Sequence, residues 1–140
     1  MERFLKHGLP HHSVCPLCDR EQETIQHIML NCIFSRKTWT RILLCVGLVD
    51  LAPNHYTSGF SAWWSRAVRR VPKEKREGLN SLIILVVWSL WKHRNACVFD
   101  GWDPSVSTTC QEVEAESRLW VMAGDKVLQE LLGRASWLHA

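Results

Sequence analysis

Cys15-Pro-Leu-Cys18-Asp-Arg-Glu-Gln-Glu-Thr-Ile-Gln-His27-Ile-Met-Leu-Asn-Cys32 places three thiols and an imidazole within eighteen residues. The C-x2-C-x8-H-x4-C spacing is that of a tetrahedral structural zinc site. A short Cys-x-x-Cys turn offers two thiolates from one side, and a later His and Cys close the other. Cys15, Cys18, His27 and Cys32 are therefore the candidate metal ligands, with Zn2+ as the structural ion. Four protein ligands leave no open position for water, so a site of this type argues against metal catalysis. The alternative is a Cys-x-x-Cys redox pair, which normally follows a strand at a helix N-terminus. No strand pattern precedes Cys15, and that reading leaves His27 and Cys32 unused. His11 and His12 are near enough in sequence to compete as ligands.

The same stretch opens a helical pattern, with Ile25, Ile28 and Met29 at i, i+3 and i+4 from about Thr24. His27 and Cys32 are five residues apart, about 140° off a common face at 100° per residue. Both can reach one metal only if the helix ends or unwinds between them. Asn31, which tolerates the left-handed region, is the expected place. Further helices are expected over 35–46, closed by Gly47; over 60–71, stopped by Pro72; over 73–99; and from a Ser105 or Ser107 cap to about Leu132. Residues 48–59 read as a linker. Leu82-Ile-Ile-Leu-Val-Val-Trp88 is apolar on every face, so its helix is expected at the centre of the domain or against a partner. Trp88 and Trp91 are assigned to the core. The run Leu79–Trp91 is shorter than the ~20 residues of a bilayer span, so no membrane is expected. The expected fold is all-α: a small helical domain with an N-terminal CCHC zinc knuckle and a long central apolar helix. Its divisions are 1–48, knuckle plus helix; 49–72, linker and short basic aromatic helix; and 73–140, long apolar helix and C-terminal helix.

At 140 residues, 46% apolar with eight Trp, the chain can bury a real core. The net charge of +3 is unevenly spread: residues 1–100 carry 14 Lys/Arg against 8 Asp/Glu, and residues 101–140 carry 3 against 6. The basic part leans toward a polyanionic partner. Candidate phosphate contacts are Arg36, Lys37 and Arg41 beside the knuckle, and Arg66, Arg69 and Arg70 on the aromatic helix. Glu74 and Glu77 break up the neighbouring Lys73, Lys75 and Arg76, and a solvated helix face stays open as the plainer reading of this basic run. Trp63-Trp64 stays open between base stacking and core. Lys92, His93 and Arg94 read as cations complementing a helix C-terminus. Six cysteines behind an N-terminus without an apolar leader fit a reducing compartment, nucleus or cytoplasm, and not secretion. No Gly-rich phosphate loop, nucleophile context or converging set of carboxylates is present, so no catalytic activity is expected.

Taken together, His7-Gly-Leu-Pro10, Cys15-Pro-Leu-Cys18, Glu23-Thr24, His27, Cys32, Phe34 and Trp39 resemble the reverse-transcriptase zinc-binding domain of plant non-LTR retrotransposons. Trp88-Ser-Leu-Trp91-Lys92-His93-Arg94-Asn95-Ala-Cys-Val98-Phe99 resembles the Trp-x-x-Trp-Lys-x-Arg-Asn-x-x-Val-Phe segment that follows it in those proteins. The resemblance implies zinc ligation by Cys15, Cys18, His27 and Cys32 and an accessory role in engaging template RNA or target DNA. Asp19 stands where that family often has Gly, so a less relaxed turn is expected. The polymerase Tyr-x-Asp-Asp signature and an acidic nuclease cluster are missing. Two functional readings follow. One is an RNA- or single-stranded-DNA-binding module whose contact face is the knuckle with Arg36, Lys37 and Arg41. The other is a protein-interaction or structural module, joined through the Leu82–Trp91 helix to an upstream polymerase domain or to itself, or a decayed retroelement fragment without independent activity.

Overall fold

In the computed structural model, which describes residues 14–133, 135 and 137, six helices follow one another. The motif residues His7–Pro10 and the competing ligands His11 and His12 lie outside the described residues. Helix α1 enters at Ile25 and Gln26 and runs as a π-helix over His27–Asn31. It is followed by α2 (Ile33–Cys45), α3 (Phe60–Arg70), α4 (Arg76–Phe99), α5 (Val106–Met122) and α6 (Lys126–Leu132). Single 3-10 turns occupy Val49–Leu51 and Lys73–Lys75. Among the described residues there is no strand, only an isolated antiparallel bridge between Val14 and Gln22. The all-α expectation holds.

Local chemistry sets the boundaries. Gly47 closes α2 with a φ of 77°. The Leu48 and Gly47 N–H groups donate back to the Leu43 and Leu44 carbonyls at 2.8 and 3.1 Å, a left-handed helix stop. Ser105 caps α5, its hydroxyl accepting from the Thr108 N–H at 3.1 Å. The single helix expected to reach Leu132 is instead two. Gly124, at φ 105°, ends the first, and the Asp125 carboxylate accepts from the Leu128 N–H at 3.0 Å to start the second. The stretch Gly124-Asp125 is a stop signal followed by a start signal.

Helix α4 lies at the centre, packed against α1, α3, α5 and α6. Leu79, Leu82, Ile83, Val86 and Leu90 form its buried face. Lys73–Phe99 is long and apolar enough to cross a membrane by length and composition, yet half of its most apolar window is buried inside the protein. Trp88 and Trp91 are not core residues: they are 53% and 37% exposed, alongside Ile84 at 49%. Positions 84, 88 and 91 follow i, i+4, i+7 and so share the side of α4 opposite its buried stripe. There they line an apolar groove with Ile25 from α1 and Phe60 and Trp64 from α3.

The tryptophans of α2 and α3 do fill the interior. Trp39 is fully buried and tilts against Trp63 with ring centroids 4.8 Å apart. Their indole N–H groups donate to the Met29 and Leu51 carbonyls, each at 2.8 Å, so neither buries an unpaired donor. Trp64 is half-buried and donates to the Asn80 side-chain carbonyl at 2.7 Å, tying α3 to α4. One apolar core runs from Cys15 and Leu17 through Trp39 and Leu82 to Leu128 and Leu132.

Candidate metal centre

The two halves of the Cys3His cluster are built by different devices. Around Pro16-Leu17 the chain turns tightly, with the Asp19 N–H donating to the Cys15 carbonyl and the Cys15 N–H to the Glu21 carbonyl, both at 2.8 Å. Asp19 sits at φ 55°, alone among the described non-glycine residues in having a positive φ. Aspartate tolerates this left-handed geometry better than most side chains but less well than glycine. The less relaxed turn expected at this position is present.

His27 and Cys32 reach one point by a route the sequence reading did not contain. Asn31 keeps a negative φ, so the helix does not close there through a left-handed residue. It widens instead: the Cys32 N–H donates to the His27 carbonyl at 2.8 Å, an i→i+5 bond. A π-turn holds more residues than an α-turn, which brings a residue five positions on back toward the same face. Cys32 then leaves the helix with ψ 137°, and α2 begins at the next residue.

The four ligand atoms lie within 4.8 Å of one another. Cys15 Sγ and Cys32 Sγ are 3.8 Å apart, and Cys18 Sγ is 3.4 Å from His27 Nε2. A tetrahedron with metal–sulfur bonds of about 2.3 Å has sulfur–sulfur edges of about 3.8 Å and sulfur–nitrogen edges of about 3.6 Å. The donor set and the spacing therefore fit a four-coordinate divalent cation. Cys15, Cys32 and His27 are buried, and Cys18 is half-exposed. His27 points Nε2 into the cluster, while Nδ1 faces the Glu21 carboxylate at 3.7 Å. That polarity suits ligation through Nε2 with a carboxylate behind the ring.

The titration of these groups is set by their crowding. The hydrogen bond from Cys32 draws the Cys15 thiol down to about 4, against the opposing effect of burial. The same bond, with burial, pushes Cys32 above the ordinary thiol range. His27 is raised to about 9, first by its hydrogen bond to Cys15. A thiolate beside an imidazolium is what such a cluster holds when protons alone balance its charge. Ligation requires deprotonated donors, so metal uptake here releases protons.

Two contacts dock this segment onto α4. Arg94 grips the Glu23 carboxylate with both arms of its guanidinium, Nε–Oε1 at 2.5 Å and Nη2–Oε2 at 3.0 Å, and its cationic carbon lies 5.0 Å from the centre of the Trp91 ring. Phe34, just past Cys32, stacks on His93 at 5.4 Å with the rings 13° from parallel. Burial keeps the His93 pKa low, and its Nε2 accepts from the Ser105 N–H at 2.9 Å. The role expected for Lys92, His93 and Arg94 as cations at a helix end does not hold. The helix continues to Phe99, and His93 and Arg94 instead join α4 to the Cys3His segment. Glu23 and Arg94 are 71 residues apart, so no local pattern announces their pairing.

The basic candidates fall into two groups. On α2, Arg36 donates to the Asn31 carbonyl at 3.2 Å, Arg41 donates to the Ser107 hydroxyl at 3.1 Å, and Lys37 is exposed. On α3, Arg66, Arg69 and Arg70 are exposed, with Arg70 donating to the Asp50 carbonyl at 3.2 Å. Among the described residues none of the six forms an ion pair with a carboxylate. Trp63, left open between stacking and core, is core.

Residues 1–39 match the family model described as zinc-binding in reverse transcriptase. The match takes in the Cys3His cluster and α2 as far as Trp39, and the Trp88–Phe99 segment lies beyond it. Searches of the curated proteins and of the solved structures find no match.

Proposed function

We propose that residues 15–32, within the segment that matches the reverse-transcriptase zinc-binding family, hold a structural Zn2+, and that the chain is a non-catalytic accessory module that binds RNA or single-stranded DNA. The observation that carries the zinc reading is the Cys15–Cys32 and Cys18–His27 pair of edges, 3.8 and 3.4 Å, close to those of a zinc tetrahedron built from three sulfurs and one nitrogen. Sulfur-rich donors and four protein ligands suit zinc and leave no coordination position for a substrate. Six cysteines in the sequence, three of them gathered with His27, agree with a nuclear or cytoplasmic setting. The nucleic-acid reading draws its support from the arginines of α2 and α3, which form no ion pair with a carboxylate among the described residues.

Metal analysis of the purified chain is expected to return one zinc per molecule. Cys18→Ser should abolish that stoichiometry and lower the melting temperature by about 10 °C, the shift that about 3 kcal/mol produces in a chain of this size. Unchanged zinc content and stability would defeat the metal reading. Affinity for single strands should fall steeply with salt, with a log–log slope near −3 if about four phosphates are contacted. Binding that ignores salt, or no binding, would defeat the nucleic-acid reading.

A second reading, association of two copies through the outer side of α4, has one observation in its favour. Ile84, Trp88 and Trp91 expose apolar surface and line one apolar groove with Ile25, Phe60 and Trp64. Sedimentation should then report a dimer that Trp88→Glu dissociates, and a monomeric wild type would remove this reading.

A further inference from the structure

Two grooves meet at the loop 52–57. One, of 580 Å3, is walled by Arg36, Lys37, Arg41 and Pro53. The other, of 390 Å3, is walled by Asp50, Asn54, Tyr56, Arg66 and Arg70. Pro53 and Asn54 are consecutive, so the loop is the common wall and the cations flank it on both sides. Arg36, Arg41 and Arg70 are each oriented by a neutral oxygen: the Asn31 carbonyl, the Ser107 hydroxyl and the Asp50 carbonyl. Neutral partners fix a guanidinium without cancelling its charge, which is the state a phosphate contact requires.

At the crest of this loop Tyr56 is 88% exposed, so its ring gains almost nothing from folding. Its backbone is nevertheless held. The Asn54 side chain accepts from the Tyr56 N–H at 2.8 Å, and the Thr57 hydroxyl accepts from the Asn54 N–H at 3.0 Å. His55 meets the ring edge-on at 5.3 Å. From below, the loop is pinned to the metal-ligating turn. Asn31 donates to the Thr57 carbonyl at 2.8 Å, and Gln26 donates to the Ser58 carbonyl at 2.6 Å. Residues next to His27 and Cys32 thus hold the backbone that directly follows Tyr56.

We infer that a single-stranded polynucleotide crosses the molecule over this loop, its phosphates on the arginines and lysine of the two grooves and one base stacked on Tyr56. The inference rests on the nucleic-acid reading above and gives it a path. An aromatic platform between basic tracks is the sequence-tolerant way to hold a single strand, because every base offers a π-face. Asp50, the acid among these wall residues, suits a base amino group and not a phosphate. The zinc turn enters as support for the loop, not as the contact surface.

Fluorescence anisotropy with labelled 12-nucleotide oligo(U) RNA and oligo(dT) DNA tests the path on the full chain. Tyr56→Ala should weaken binding about 5- to 150-fold, the range of one aromatic–base stack, with the salt slope unchanged, while Tyr56→Phe should retain affinity. Arg66→Gln with Arg70→Gln should flatten the salt slope by about 1.4. Asn31→Ala, which frees the loop but keeps all four ligands, should weaken binding while zinc content stays the same. Salt-dependent wild-type binding that is indifferent to Tyr56→Ala and to the two arginine changes would overturn the path and leave the nucleic-acid reading standing. Absence of wild-type binding to either probe would overturn both.

Discussion

Arg94 and Glu23 form the most consequential contact made by single residues, because each stands in a different one of the two motifs that mark this chain. Both side chains are 12% exposed, so removing one leaves the other charged and poorly solvated. Glu23→Gln or Arg94→Met should each cost about 3 kcal/mol in urea unfolding, and the double variant less than the sum of the two. A pair on the open surface would show costs below about 1 kcal/mol. His93 supplies a pH signature at the same scale. Burial lowers its folded pKa below the ordinary 6.5, so the unfolded chain binds more protons as acid is added. The stability this represents is complete above pH 6.5 and is lost as pH falls through the depressed folded value. His93→Gln, which keeps an acceptor for the Ser105 N–H, should flatten the fall in unfolding free energy between pH 7 and 5, read at constant zinc content.

Helices meet closely at one point, where α6 crosses the start of α4. A Cβ on Gly78 would overlap the Val127 carbonyl and lie 2.8 Å from Leu131 Cβ. Alanine raises helix propensity by about 1 kcal/mol over glycine, but here the backbone of α6 must move away. Gly78→Ala should therefore lower stability by up to about 2 kcal/mol net, measured by denaturant midpoint. This crossing was not legible, because a glycine inside an apolar helix shows no local sign of what approaches it. The helices themselves were, since periodicity, Gly47, Pro72 and Ser105 are local signals. Two features misled. The Leu82–Trp88 run is apolar on all sides, so periodicity could not separate the buried stripe from the groove-lining stripe of Ile84, Trp88 and Trp91. The stop and start at Gly124-Asp125 sat inside a pattern that otherwise continued. That Cys15, Cys18, His27 and Cys32 gather at one point was readable from donor type and spacing. How His27 and Cys32 converge was not, since i→i+5 turns have no residue signature.

For the whole molecule, the Cys3His cluster and the helical core are separable units. The four ligands sit between Cys15 and Cys32, while α4, α5 and α6 pack on one another without them. Chelation should therefore remove hydrogen-exchange protection from residues 14–32 and from the 54–58 loop that Asn31 and Gln26 hold. Protection in α4 should persist, and helical circular dichroism should be largely retained. Loss of the entire helical signal on chelation would mean that the core depends on the metal, as in short zinc fingers, where the ion supplies on the order of 10 kcal/mol.

The π-turn at His27–Asn31 has a consequence for how this segment tolerates change in length. Relative to an α-helix it carries one inserted residue, and removing one would leave His and Cys four apart, still on one helical face. The cluster alone would survive such a deletion. What the extra residue permits is phase: it turns Gln26 and Asn31 toward the loop and the Met29 carbonyl toward Trp39 while the donors stay aligned. Deleting Met29 should thus conserve metal uptake yet uncouple it from the rest of the chain.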